Sequence, residues 1–167
     1  REWLGERVIQ NLTNYEFTVK NKNFENTVSV SRPDIEDDNV GQYTPLFQML
    51  GHDAAMHPDE LVFTLLKSGF STLCYDGQYF FDTDHPVNDG NGNIVSVSNS
   101  GGGSGEPWFL LDVSKPIKPI IYQERKKYEF VALDNPRDEN VFKKNEFVYG
   151  VDGRGNAAFA LWQMAYG

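Results

Sequence analysis

Apolar positions along this chain follow two periods. Between Thr44 and Phe70 they recur at spacings of one, three and four, and this predicts the longest helix of the chain. Leu46, Phe47, Leu50 and Ala54 share one face, and Leu61, Val62, Leu65 and Leu66 renew the stripe after His57-Pro58. Thr44 is the expected N-cap and Pro45 the first helical residue, where a missing N–H costs nothing. Pro58 removes a backbone donor and disfavours helical geometry at His57, so one kinked helix or two abutting ones are expected. If continuous, the element spans roughly 40 Å at 1.5 Å per residue, a spine for shorter strands to lie across. Arg1 to Leu12 places Trp3, Leu4, Val8 and Leu12 at helical spacing, which predicts a short amphipathic helix.

Elsewhere the period is two. Tyr15, Phe17 and Val19 alternate with polar residues, and Phe24, Val28 and Val30 alternate again beyond a polar tip, predicting a long hairpin from Tyr15 to Ser31. Its second face carries few large apolar residues, so the hairpin is expected either to project and offer unpaired edges to a neighbour or to serve as an ordinary edge hairpin. Asp76-Gly77 marks a tight turn between two β-prone runs. Trp108 to Val113 reads as a buried strand from its continuous apolar run. Ile120 to Tyr122 starts a strand that leads into a basic run, and Phe130 to Leu133 and Val141-Phe142 read as further short strands or turns. Glu146 to Val151 is a further strand ending at a Gly-rich corner, Asp152 to Asn156. Phe159, Leu161, Trp162 and Met164 are expected in the core.

A length of 167 residues fits one domain, or one domain with an elaborated lobe. The formal net charge of -9 implies repulsion of nucleic acid and anionic membrane, which excludes a basic-groove function. No apolar run approaches the roughly 20 residues of a membrane-spanning helix, and no signal-peptide pattern is present. The chain opens without Met inside an apparent helix, so it is expected to be a piece of a longer protein. Cys74 has no cysteine partner and reads as a small buried hydrophobe suited to a reducing compartment.

Candidate chemistry is sparse. Asp34, Glu36, Asp37 and Asp38 lie in an acidic connector, Ser31 to Gln42, which reads as a solvated face whose charges repel without a metal. Asp82, Asp84 and His85, completed by His52 or His57, are the one constellation with a metal-site look and carry the alternative of a metal-dependent hydrolase. The plainer reading there is a turn stiffened by Pro86. Asp89, Asn91 and Asn93 imitate a calcium loop, but Ile94 replaces its glycine and Ser100 its glutamate. Gly101 to Gly105 lacks the lysine of a phosphate loop and reads as a flexible excursion. No cofactor is implied. Arg125, Lys126 and Lys127 form the strongest basic patch.

Five stretches in one order resemble the major head subunit of Mu-like phages and prophages: REWLGERVIQNL, YEFTVKNKNFENTVSVSRPDIEDDNVGQY, HPDELVFTLLKSGFSTLCYDGQYFFDTDHPV, PWFLLDVSKPIKPIIYQERKKYEFVALD and NEFVYGVDGRGNAAFALWQMAYG. The resemblance covers nearly the whole chain; the family's arm before Arg-Glu-Trp is absent. It implies an α+β Hong Kong 97-type capsid fold with a spine helix, an extended hairpin called the E-loop, and peripheral and axial domains. Residues 1–86 would then hold the N-terminal helix, the E-loop (15–31) and the spine (44–70) of the peripheral domain. Residues 87–105 would be a flexible Gly-rich loop, and 106–167 mainly the axial domain.

The implied function is non-enzymatic: a major capsid protein that self-assembles into the icosahedral shell enclosing phage DNA, located in the virion and, before assembly, in the host cytoplasm. Implied partners are copies of itself, a scaffolding protein, a portal and, only weakly, packaged DNA. No membrane is involved. Tyr15, Phe17, Lys20, Lys22 and Phe24 are the expected E-loop contacts. Asp34, Glu36, Asp37 and Asp38 are expected to meet Arg125, Lys126 and Lys127 of another subunit. The resemblance does not extend to isopeptide cross-linking through Lys20 or Lys22. A non-capsid virion or adhesion module is the remaining alternative. Without the arm, this chain is expected as a monomer or small oligomer.

Overall fold

The spine's apolar stripe is met by a sheet. The computed structural model describes residues 17–37 and 41–167. In chain order it contains β1 (Lys22–Ser31), α1 (Arg32–Glu36), α2 (Tyr43–Lys67), β2 (His85–Asn88), β3 (Ile94–Val97), β4 (Leu110–Leu111), β5 (Ile120–Leu133), α3 (Glu139–Lys144), β6 (Glu146–Phe159) and β7 (Ala165–Tyr166). The predicted amphipathic helix at Arg1 to Leu12 lies outside the described residues.

Helix α2 runs unbroken through Pro58. It starts one residue before Thr44, with Gln42 in the cap position and no side-chain cap, so Pro45 is its third residue; that N–H is also unpaired in a first turn. At the far end, the Ser68 hydroxyl donates to the Leu65 carbonyl at 2.7 Å and a 3₁₀ turn, Ser68–Phe70, follows. The helix survives its internal proline because both halves rest on the same surface. Leu50 and Leu66 are buried, Phe47 packs 4.5 Å from Tyr149, and the Phe24 ring lies 4.3 Å from His57. The Tyr128 hydroxyl stands 2.5 Å from His57 Nδ1. Pro58→Ala should therefore stabilise the chain, by up to about 3 kcal/mol, since it restores one helical hydrogen bond and relieves the ring's clash. Urea unfolding would measure this, and an unchanged midpoint would show that the helix has already absorbed the cost.

Three antiparallel strands form the supporting sheet, in the order β1-β6-β5. Strand β1 pairs with β6 from Lys22↔Gly155 to Ser31↔Glu146, and β5 pairs with β6 from Ile120↔Phe159 to Leu133↔Val148. This corrects the hairpin reading. Residues 17–21 form no strand, and β1 takes its partner from the far end of the chain. Alternation told of a two-faced strand but not of its neighbour. Strands from 1–86 and from 106–167 thus share one sheet.

The supposed corner at Asp152 to Asn156 lies inside β6. Its glycines make room for side chains of β5. A Cβ at Gly153 would stand 2.7 Å from Tyr128 Cδ1, and one at Gly155 2.8 Å from both the Gln123 carbonyl and the Tyr122 hydroxyl. Likewise β5 runs straight through the basic patch as one strand, with register irregularities between Glu124 and Lys126 and between Lys126 and Glu129. Val141-Phe142 belongs to helix α3, which ends at Asn145 in the left-handed conformation. Asn140 Nδ2 ties that helix to both strands, donating to the carbonyls of Leu133 (2.8 Å) and Glu146 (2.7 Å).

The core lies where the end of the spine meets the chain's last residues. Leu66, Phe80, Phe81, Phe159, Trp162 and Ala165 form one buried cluster, with Phe80 stacked on Phe159 at 4.0 Å. Trp108 to Val113 is not the buried strand its composition predicts. Only Leu110–Leu111 pairs, with β7, and the run alternates: Phe109 and Leu111 pack on the core, whereas Trp108 and Leu110 are 60% and 65% exposed. The expected loop from 87 to 105 begins as a hairpin of β2 and β3. The Asp89 carboxylate closes it, accepting from the N–H groups of Asn91 (2.7 Å) and Asn93 (3.2 Å) and from Asn93 Nδ2 (3.0 Å). These contacts, that of Asn93 foremost, hold the carboxyl below its usual range. The calcium-like spacing therefore serves the turn.

Candidate assembly surfaces and a buried histidine site

The Asp76-Gly77 turn folds as its sequence requires, but the flanking runs shrink to a single bridge, Leu73 with Tyr79. The Cys74 N–H donates to the Gln78 carbonyl at 2.8 Å, and the Gln78 N–H to Asp76 Oδ1 at 3.1 Å. This arrangement aims Cys74 and Asp76 at the start of β2. There His85 is fully buried, its ring stacked on Trp162 at 3.8 Å and 9°. Asp76 Oδ2 stands 2.7 Å from His85 Nδ1, and Cys74 Sγ donates to Asp76 Oδ1 at 2.9 Å. Burial pushes the Cys74 thiol up to about 12. Burial also acts to raise Asp76, but the contacts of Cys74 and His85 outweigh it and hold that carboxyl below its usual range.

Asn99, also buried, closes the other side. Its Nδ2 donates to the carbonyls of Phe80 (2.8 Å) and Trp162 (3.3 Å), while its Oδ1 accepts from the Asp82 N–H (2.9 Å) and faces His85 Nε2 at 3.1 Å. Three chain segments meet on this one amide.

The metal-dependent hydrolase reading does not survive this geometry. Asp82 is spent on a turn, accepting from the N–H groups of Thr83 (2.7 Å) and Tyr79 (3.2 Å), and Asp84 is exposed. His57 belongs to the spine and sheet contact, and His52 is exposed. The residues that do meet His85 are Cys74 and Asp76, which sequence reasoning passed over. The only signal was a Cys-x-Asp spacing leading into a tight turn, and nothing local says which way such a turn points.

The expected contact residues divide into committed and uncommitted ones. Tyr15 and Asp38 lie outside the described residues. Phe17 is half-buried, edge-on to Tyr75 at 5.5 Å, and Phe24 is occupied by His57. Lys20 and Lys22 are exposed. Glu36 accepts from Arg32 Nε at 2.7 Å within α1, whereas Asp34 and Asp37 are exposed. Lys126 is held by Asp152 at 2.6 Å and Glu129 at 3.3 Å, and these partners, Asp152 foremost, raise its pKa. Arg125 and Lys127 are exposed and have no ion-pair partner among the described residues. Among the described residues no ion pair joins the acidic connector to the basic strand within one chain.

Large apolar side chains are exposed well beyond scattered single residues. Met49, Met56 and Phe63, spaced by seven, form a second stripe on α2, turned from the sheet, with Met49 61% and Phe63 59% exposed. Phe130 and Val131 on β5 and Phe142 on α3 are exposed too. Soluble monomers rarely leave so much apolar surface in water, which marks these faces for partners. No described helix is long and apolar enough to cross a membrane.

Comparison with known proteins places these features in context. The family model for the Mu-like prophage major head subunit gpT matches residues 1–167. The chain is 49% identical over 171 residues to the major capsid protein of Escherichia phage Mu, covering 99% of this chain and 56% of the relative. Among solved structures, it superimposes on the procapsid of bacteriophage JBD30 with a TM-score of 0.77 and 52% identity, covering 99% of this chain and 57% of that one. For the bacteriophage JBD30 capsid the TM-score is 0.81 and the identity 35%, over 99% and 55% of the two chains. The chain thus spans just over half the length of the relatives it matches.

Proposed function

Because the chain belongs to the Mu-like prophage major head subunit family, we propose that it is part of a subunit that self-assembles into the closed shell of a phage capsid. Its α+β architecture is the Hong Kong 97-type capsid fold. The observation that carries the assembly reading in this chain is the second apolar stripe on the spine, Met49, Met56 and Phe63, which the chain's own sheet does not cover. In this reading the protein resides in the virion shell, is helped by a scaffolding protein, adjoins a portal at one vertex, and touches packaged DNA weakly because its net charge is negative. Because β1 is paired within the chain, the contact with a neighbouring subunit is assigned to the segment that leads into it, through Tyr15, Lys20 and Lys22. The pairing of β1 with β6 and of β6 with β5 supports assigning these strands of 106–167 to the same domain as the spine.

Negative-stain electron microscopy of the longer parent protein, expressed with its scaffold, tests this. Uniform closed shells are expected, and only small irregular particles would overturn it.

Contacts between subunits are assigned to the uncommitted charges Asp34 and Asp37 of one copy, together with Asp38 next in sequence, toward Arg125 and Lys127 of another. Reversing both cations, Arg125→Glu with Lys127→Glu, should abolish or sharply reduce shells while leaving subunit stability within about 0.5 kcal/mol, because neither side chain has an intrachain ion pair among the described residues. Normal shells from the double variant would remove this strand from the interface.

A further inference from the structure

We propose that Cys74, Asp76 and His85 bind a single divalent cation of borderline softness, with Zn²⁺ the ion whose ligand preferences fit best, and that this ion pins the 74–85 turn to the C-terminal core. One thiol, one carboxylate and one imidazole nitrogen lie within 4.8 Å of one another here. That donor set of sulfur, oxygen and nitrogen suits zinc and its neighbours and does not suit calcium or magnesium, which take oxygen ligands.

The tautomer of His85 supports the assignment. Both hydrogens of Asn99 Nδ2 are taken by the carbonyls of Phe80 and Trp162, so its oxygen is the atom that faces His85 Nε2. An amide oxygen only accepts, and therefore Nε2 carries a hydrogen and donates. The lone pair of the neutral ring is then on Nδ1, directed at Asp76 Oδ2 from 2.7 Å. At that separation the two atoms share a hydrogen, and a metal ion bonded to both would replace it once the gap widens to roughly 3.3 Å, the separation of two tetrahedral ligands. Ligating histidines commonly have this arrangement, with the second ring nitrogen donating to a fixed acceptor that sets the ring's orientation. The stack on Trp162 fixes the ring plane as well.

The two remaining ligands are held by backbone. The Gly77 N–H donates to the Cys74 carbonyl at 3.2 Å and the Gln78 N–H to Asp76 Oδ1 at 3.1 Å, so Cys74 and Asp76 leave the turn on the same side. Cys74 is only half-buried and lines an open groove with Leu65, Thr72 and Tyr75, which gives an ion a way in from solvent on the thiol side. On binding, the thiol proton and the hydrogen shared by His85 Nδ1 and Asp76 Oδ2 both pass to solvent, and the thiolate, the Nδ1 lone pair and the carboxylate become the ligands. This inference is independent of the shell assignment.

Co²⁺ titrated alone into the metal-free chain tests it, because cobalt reports its ligands spectroscopically. One equivalent should saturate the protein, with visible bands of tetrahedral type and a near-ultraviolet thiolate-to-cobalt band, and Zn²⁺ should displace it. Cys74→Ser should remove the thiolate band and weaken affinity at least about tenfold. Asp84→Asn, outside the cluster, should change neither. The absence of saturable binding to the folded wild-type chain, or binding indifferent to Cys74→Ser, would overturn the site. Circular dichroism of Cys74→Ser without metal separates lost binding from lost fold, and His85→Gln, which should also lose the visible bands, serves if Cys74→Ser does not fold.

Discussion

Replacing Asn99 with leucine is expected to destabilise the chain by roughly 3–5 kcal/mol, although the two side chains have the same branching and number of heavy atoms. The substitution leaves the Phe80 and Trp162 carbonyls without their Nδ2 donor and the Asp82 N–H and His85 Nε2 without their acceptor. Each buried group left unpaired costs on the order of 1–3 kcal/mol, less whatever water can reach it. Phe80, Trp162 and His85 are all buried, so little water does. Asn99→Asp separates the terms: it keeps an acceptor for the Asp82 N–H but loses both donations and sets a carboxylate against two carbonyls, so it too should be strongly destabilising. Urea unfolding of the two variants with an unchanged denaturant dependence would give the values. A loss below about 1 kcal/mol for Asn99→Leu would mean that the network is solvated and does not hold the lobe together.

The second large effect is expected at Gly155. A side chain there meets the Gln123 carbonyl at 2.8 Å, which is backbone of the paired strand and cannot swing aside without disturbing the Gln123↔Asn156 and Glu124↔Gly155 register. Gly155→Val should therefore cost about 3 kcal/mol or more, at the upper end of overpacking penalties, and loosen β5 from β6. At Gly150 the same test gives the opposite expectation: an added Cβ would come closest to the Thr27 hydroxyl at 3.3 Å, with the Asn26 carbonyl and Thr27 Cγ2 in ordinary contact at 3.8 Å, so Gly150→Ala should cost less than about 1 kcal/mol. Hydrogen exchange of the β5 amides distinguishes local opening from global loss. Equal stabilities for the two glycine variants would show that the sheet accommodates the added bulk.

The candidate site was legible only in part, for reasons visible at particular residues. His85 stood out because histidine is scarce here, but the carboxylates nearest to it in sequence, Asp82 and Asp84, are not those nearest in space. Asp76, nine positions away, reaches it only because the turn at Gly77, with its positive φ of 87°, reverses the chain. The contact charges show the same limit. Exposure of Arg125 and Lys127 follows from composition, but the commitment of Lys126 to Asp152 depends on a strand pairing across the sheet.

Patterns that depend on neighbours within a few residues were settled along the chain. The 3.6-residue period of the spine, the Asp76-Gly77 turn, the alternation of Phe24, Val28 and Val30 and the family motifs in their order all belong to this group. Each rests on local sterics or on which face of an element is apolar, and these act whatever the rest of the chain does. Pairing was settled elsewhere. The partner of β1, the continuity of β6 through Gly153 and Gly155, the passage of α2 through Pro58 and the meeting of Cys74, Asp76, His85 and Asn99 all depend on distant segments. Backbone hydrogen bonds carry no residue identity, and a proline or a glycine is penalised only relative to the contacts that packing supplies in return. Those contacts exist only once the spine lies on its sheet.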